Sequence, residues 1–183
     1  SVSRFDLKGV NVVEVGGEAQ TGKTVADALV SQIMREIPDQ RSADPHKNKD
    51  FVFASPDFEG RDSTYTGLKS KASSVVEGRG ITVESDGVKK TFRTELMTFE
   101  SGGIRKTLEV VRIEPEDFTR ENKHLLNELA KSMALKNTDG PSRLLIMNEQ
   151  AFTGTDFQGV FHLFVYDPKA TMTETLWAQL LTR

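Results

Sequence analysis

The spacing of apolar residues changes character several times along the chain, and each change predicts an element. Val10-Asn11-Val12-Val13-Glu14-Val15 is short, valine-rich and stopped by Gly16-Gly17, which predicts a strand. Beyond the glycines Ala26, Leu29, Val30, Ile33 and Ile37 recur at intervals of three and four, the period of a helix with one buried stripe, and Pro38 ends it. Residues 39–49 are polar and aperiodic and predict a loop. Phe51-Val52-Phe53-Ala54 is an apolar island that fits one brief strand, whereas residues 57–80, rich in Ser, Gly, Lys and Thr, predict a mobile stretch.

The clearest β signal comes next. Ile81-Thr82-Val83-Glu84 runs into Asp86-Gly87, a strong two-residue hairpin signal. Val88 to Phe99 alternates in part, Gly102-Gly103 makes a second break, and Leu108 to Ile113 predicts a further strand. Thr119 is placed to cap a helix with Leu125, Leu126, Leu129 and Met133 on one face, and Asp139-Gly140-Pro141 ends that connection. Leu144-Leu145-Ile146-Met147 is apolar throughout, as in a strand buried on both faces. Phe161 to Tyr166 predicts another strand, and Thr171-Met172-Thr173-Glu174 is a capping-box pattern that opens a last helix along Met172, Leu176 and Leu180. Strands alternating with helices predict a three-layer α/β domain, with a mostly parallel central sheet and one antiparallel hairpin.

Composition narrows the function classes. At 183 residues the chain suffices for one compact domain, expected to span 1–183. Its 24 basic and 27 acidic side chains, a net charge of -3, give no footprint for nucleic acid or an anionic membrane. With no cysteine there is no disulfide framework, thiolate zinc site or cysteine nucleophile. His46, His124 and His162 are scattered, against a histidine-rich metal site. No apolar run is long enough to span a membrane and no signal-peptide layout opens the chain, so a cytoplasmic location without membrane insertion is expected. The missing initial Met is expected from processing or from the chain being one piece of a longer protein.

One motif carries chemistry. Gly17-Glu18-Ala19-Gln20-Thr21-Gly22-Lys23-Thr24 matches G-x-x-x-x-G-K-[ST] in full, between a predicted strand and a predicted amphipathic helix. Its glycines let backbone N–H groups curl around an anion, and the helix N-terminus adds partial positive charge. Lys23 is then expected to reach the outer phosphates of a nucleotide and the Thr24 hydroxyl to ligate Mg²⁺. The plain alternative is a flexible glycine turn with Lys23 in solvent.

With this loop and element order the chain resembles the Ras-like GTPase superfamily, closest in layout to its ADP-ribosylation-factor-like and heterotrimeric α-subunit branches. The resemblance implies a P-loop NTPase fold that binds Mg²⁺ with GTP or GDP. It aligns Phe99-Glu100-Ser101-Gly102-Gly103 with the family's D-x-G-G segment at the γ-phosphate, and Asn148-Glu149-Gln150-Ala151 with its base-reading N-K-x-D. It also makes Thr66, before Gly67, the candidate for the metal-binding Thr of the first switch, and Ile104 to Thr107 the second switch. Departures from the pattern bear on activity. Ile104 stands where the family often carries the Gln that orients the attacking water, which implies weak or absent hydrolysis. Ala151 replaces the Asp that pairs with guanine, so discrimination against ATP is expected to be poor. Such a pseudoGTPase-like domain is expected to act through protein partners.

Two other readings stay open. Leu144 to Asn148 followed by Glu149 also fits the strand of a small P-loop ATPase, with Glu149 as the water-activating base and Asn148 in place of the usual metal-binding Asp. A nucleotide-free scaffold with a vestigial loop is the third. On the bland side, Asn148 and Glu149 fit the end of a buried strand, and Glu100 fits a solvated hairpin end. Lys69, Lys71, Lys89, Lys90, Arg93, Arg105 and Lys106 are interspersed with acids and fit a mixed solvated surface.

Overall fold

Phe51-Val52-Phe53 and Leu144-Leu145-Ile146-Met147 are apolar at every position, and such strands are stable only where both faces are covered. The computed structural model describes residues 2–7, 10–16, 22–37, 50–55, 58–120, 122–132, 141–148 and 162–167, and sets those two strands side by side at the centre of an eight-stranded sheet. In chain order the elements are β1 (Val2–Leu7), β2 (Val10–Gly16), α1 (Gly22–Glu36), β3 (Phe51–Ser55), α2 (Phe58–Lys71), β4 (Ser74–Glu77), β5 (Ile81–Ser85), β6 (Val88–Phe92), β7 (Glu95–Ser101), β8 (Ile104–Arg112), α3 (Lys123–Lys131), β9 (Ser142–Asn148) and β10 (His162–Asp167).

The sheet runs β1-β2-β10-β3-β9-β8-β7-β4. From β2 to β8 neighbouring strands are parallel, while β1 and β7 pair antiparallel at either side and β4 closes one edge. The fold class is thus α/β with a mixed sheet and a separate antiparallel hairpin, β5–β6. Period-two alternation sorts the core. Phe51, Phe53, Leu108, Val110, Leu144, Ile146, Met97 and Phe99 form one buried cluster with Ala26, Leu29 and Ile33 of α1 and Leu68 of α2. Val52, Leu145, Met147 and Val111 are buried on the alternate positions, and α3 buries Leu125, Leu126, Leu129 and Ala130 while packing against β5.

The small hairpin is the far half of one long bent arm. β4 pairs with β7 up to Glu77 and Glu95, and β5 pairs with β6 from Ile81 and Phe92, so only residues 78–80 and 93–94 interrupt the ladder. Gly78 N–H donates to the Thr94 carbonyl at 3.0 Å and Gly80 N–H to Thr94 Oγ1 at 3.0 Å, which carries the pairing through the bend. Gly80 has φ +81°, and a Cβ there would lie 2.8 Å from Thr91 Cγ2 and 3.1 Å from the Phe92 carbonyl oxygen. Gly80→Ala is therefore expected to destabilise by about 1–3 kcal/mol, checked by thermal unfolding against Val76→Ala, a truncation on an exposed strand. The tip is the turn that Asp86-Gly87 predicts, with φ of 51° and 78°.

Several predicted elements change. Residues 58–71, expected to be mobile, form α2, and residues 74–77 form an edge strand. The strand predicted over Leu108–Ile113 is the second half of a longer β8 that begins at Ile104 and ends at Arg112. Thr119 does not cap α3: the cap position is Asn122, whose N–H donates to the Thr119 carbonyl at 3.1 Å. β1 has no counterpart among the predicted strands. The loop predicted at 39–49 and the last helix predicted from Thr171 lie outside the described residues. Among the described residues no helix is long and apolar enough to cross a membrane.

Candidate functional site

In an open α/β sheet ligands bind outside the carboxyl ends of the parallel strands, at the point where the strand order reverses. Here β3 leads the chain toward the β4 edge and β9 leads it back toward β10, and these two strands are neighbours. Their ends meet as the pair Ser55–Asn148. The rung Glu14–Val165–Ala54–Met147 crosses four strands one residue earlier, so Val15, Tyr166, Ser55 and Asn148 stand level.

The segment between β2 and α1 that carries the G-x-x-x-x-G-K-[ST] pattern leaves β2 at this same end. Gly16, the last residue of β2, pairs with Asp167, the last of β10. Gly22, Lys23 and Thr24 form the first turn of α1, so the motif joins strand to helix as its chemistry requires. Gly17, Glu18, Ala19, Gln20 and Thr21 lie outside the described residues, as do Glu149 and Ala151. With strands about 4.8 Å apart, Ser55 is two spacings from β2 (~10 Å) and Asn148 three (~14 Å).

Other expected site residues fall elsewhere. β7, which ends in Glu100-Ser101, pairs antiparallel with β8, so the turn Gly102-Gly103 lies at the amino ends of the parallel strands. Leu108 pairs with Ser142, Ile104 is four residues earlier and Asn148 six residues later, which separates them by ~33 Å along the strands. Gly103 is thus the second residue of a tight turn, with φ +80°, at the opposite end of the sheet from Gly16. Glu100 is exposed beside it and accepts a 2.7 Å bond from Arg105 Nε, which matches the solvated hairpin end. Ile104 to Thr107, expected as a switch, begin β8. Thr66 is an exposed residue in the middle of α2, not part of a loop. Asp167, which ends β10 opposite Gly16, also stands at the carboxyl end of the sheet.

A cleft of about 710 Å³ lies elsewhere, where α2, β4, the base of the arm and the end of β8 converge. Its cations already have partners. Lys90 Nζ lies 2.8 Å from Asp117 Oδ1, Arg112 Nε 2.7 Å from Glu114, Arg93 3.4 Å from Glu77 and Lys69 3.7 Å from Glu95. Arg112 also stacks on the Tyr65 ring at 4.4 Å, and the Tyr65 hydroxyl donates to Glu95. With each cation neutralised, this cleft offers an incoming phosphate little net attraction. The mixed surface expected for the basic residues holds for Lys69, Lys89, Arg93 and Arg105, while Lys106 is buried within β8.

Among the described residues no three His, Asp or Glu side chains converge to hold a metal by themselves. By backbone position Ser55, Asn148 and Asp167 end their strands at the carboxyl end of the sheet. Comparison of the chain with family models, curated proteins and solved structures returns no match.

Proposed function

We propose that the chain is a P-loop nucleotide-binding domain that holds a nucleoside triphosphate with Mg²⁺ at the carboxyl end of its sheet, hydrolyses it weakly or not at all, and acts through protein partners. The observation that carries this reading is the alignment of Gly16, Ser55, Asn148 and the start of α1 at one sheet end, with Ser55–Asn148 at the reversal of strand order. Backbone N–H groups of residues 18–22 and the helix N-terminus would receive the phosphates, Lys23 the outer phosphate charge and Thr24 the metal. Bound Mg²⁺ would neutralise phosphate charge. The base would then lie across the ends of β10 and β3, toward Asn148.

The Ras-like layout enters this proposal through residues 17–24 and Asn148. Gly103, Glu100 and Thr66 are left out of it, since the first two occupy the opposite sheet end and the third an exposed helix position. Base selectivity is expected to be weak because Ala151 has no carboxylate for guanine.

Thermal unfolding with Mg²⁺ and each of GTP, GDP, ATP and ADP tests the proposal. A nucleotide at 100 times its Kd should add about 2.7 kcal/mol, roughly 5–11 °C for a chain of this size. Comparable shifts with adenine and guanine nucleotides are expected, and no shift with any of the four would overturn the reading. A second reading, a small ATPase with Glu149 as base, is favoured by the place of Asn148, the last residue of β9, at the carboxyl end of the sheet. It requires steady phosphate release from ATP that Glu149→Gln abolishes while binding persists.

A further inference from the structure

We propose that the β5–β6 arm is a lid on the cleft of about 710 Å³, jointed at residues 78–80 and 93–94 and latched shut by the Lys90–Asp117 ion pair. The inference is independent of any bound nucleotide. Strand register locates the joint: ladder pairing stops at Glu77–Glu95 and resumes at Ile81–Phe92. Two hydrogen bonds span the gap, and both end on Thr94. Two of the five residues in it are glycines, and Gly80 has φ +81°. A few such residues suffice to absorb the φ/ψ change of a hinge, while the hairpin beyond them keeps its register and moves as one piece.

The latch ties the arm to the body. Lys90 stands on β6, and Asp117 on the 3-10 turn Pro115–Phe118 that precedes α3. Nζ and Oδ1 are 2.8 Å apart, with side chains 27% and 10% exposed, so water screens the pair less than an exposed one. The other Asp117 oxygen accepts the Glu114 N–H at 2.9 Å, which fixes the carboxylate to its own turn. Lys90, on a flexible stem with Nζ 5.2 Å from the Phe92 ring centroid, is the partner that can leave. Ile81, Val83 and Phe92 are also buried in the closed arm, so the open form is a minor state. The cleft responds directly to the arm. Lys90, Phe92 and Thr94 line it together with Asp117, Tyr65 of α2 and Val75 of β4. Rotation at the joint therefore changes its width, and one ion pair controls entry.

Hydrogen exchange of the full chain, read by mass spectrometry, compares peptides over 81–92 with those over β3 and β9. The proteins are wild type, Lys90→Met, Asp117→Asn and, at an exposed neighbour, Lys89→Met. The wild-type arm should exchange faster than β3 and β9, through an opening of its own. Both latch variants should speed arm exchange about tenfold or more while β3 and β9 keep wild-type rates, and Lys89→Met should match wild type. Access to the cleft has a separate readout, because the chain has no cysteine. A thiol introduced by Val75→Cys should react with a maleimide about tenfold faster when Lys90→Met is added. Arm exchange equal to that of β3 and β9 in wild type would overturn the proposal, and that comparison needs no variant to fold. Unchanged arm exchange in both latch variants, or equal labelling of Val75→Cys with and without Lys90→Met, would overturn it as well.

Discussion

Arg143→Ala is expected to destabilise the protein by about 3–5 kcal/mol, because it leaves a buried carboxylate without its counter-charge. Arg143 and Glu109 are directly opposite on β9 and β8, with Nε 2.8 Å from Oε1 and side chains only 17% and 9% exposed. Arg143 Nη1 also donates to the Ser132 carbonyl at 3.1 Å, which ties the sheet to the end of α3, and the Arg143 N–H donates to Asp50 Oδ1 at 2.9 Å. The main-chain bond survives truncation; the guanidinium bonds do not. For a chain of this size the loss amounts to roughly 6–20 °C in Tm. The double replacement Arg143→Met with Glu109→Leu should recover most of it, since the desolvation of both charges is then removed. Unfolding followed by circular dichroism on the three variants tests this. An Arg143→Ala variant as stable as wild type would mean that the β8–β9 pairing is not as described.

Phe53→Ala should have an effect of similar size, about 3–5 kcal/mol, through a different cause. Phe53 is fully buried in β3, between Phe164 of β10 and Ile146 of β9, and belongs to the cluster under α1 and α2. Removing the ring leaves a cavity that strands held on both sides cannot collapse to fill. The same strand ends at Ser55, so disorder in β3 should spread to the candidate site. The denaturant midpoint should fall with an unchanged slope, and nucleotide-dependent stabilisation should persist in the fraction that remains folded. A midpoint within experimental error of wild type would contradict a central position for β3.

Elements with a local signature were legible in the sequence. Asp86-Gly87 specifies its turn because both positions need positive φ, and Ala26, Leu29 and Ile33 specify α1 because burial on one face repeats with the helical period. α2 was not legible: it carries Gly60 and Gly67 with Ser63, Thr64, Thr66 and Ser70, all weak helix formers, and among its described side chains Leu68 alone is in the buried cluster. Packing on the sheet and on α1 holds that helix, and a local pattern cannot report tertiary support. β1 was missed for a similar reason, since Val2, Arg4 and Asp6 alternate with Ser3, Phe5 and Leu7 and neither face is consistently apolar. At the site, Gly102-Gly103 was read as a break, which it is, yet its sheet end depends on which way β7 runs relative to β2. Strand direction and order are set by distant pairings.

The central claim is that residues 17–24 hold a nucleotide at the carboxyl end of the sheet, and titration calorimetry with Mg²⁺–ATP and Mg²⁺–GTP on wild type and Lys23→Ala tests it most directly. The account predicts saturable binding of both nucleotides to the wild type and at least a tenfold loss, about 1.4 kcal/mol or more, in a Lys23→Ala variant whose melt without nucleotide is unchanged. No heat of binding with either nucleotide, or equal binding by the variant, would contradict it and leave the loop as a turn in a nucleotide-free scaffold.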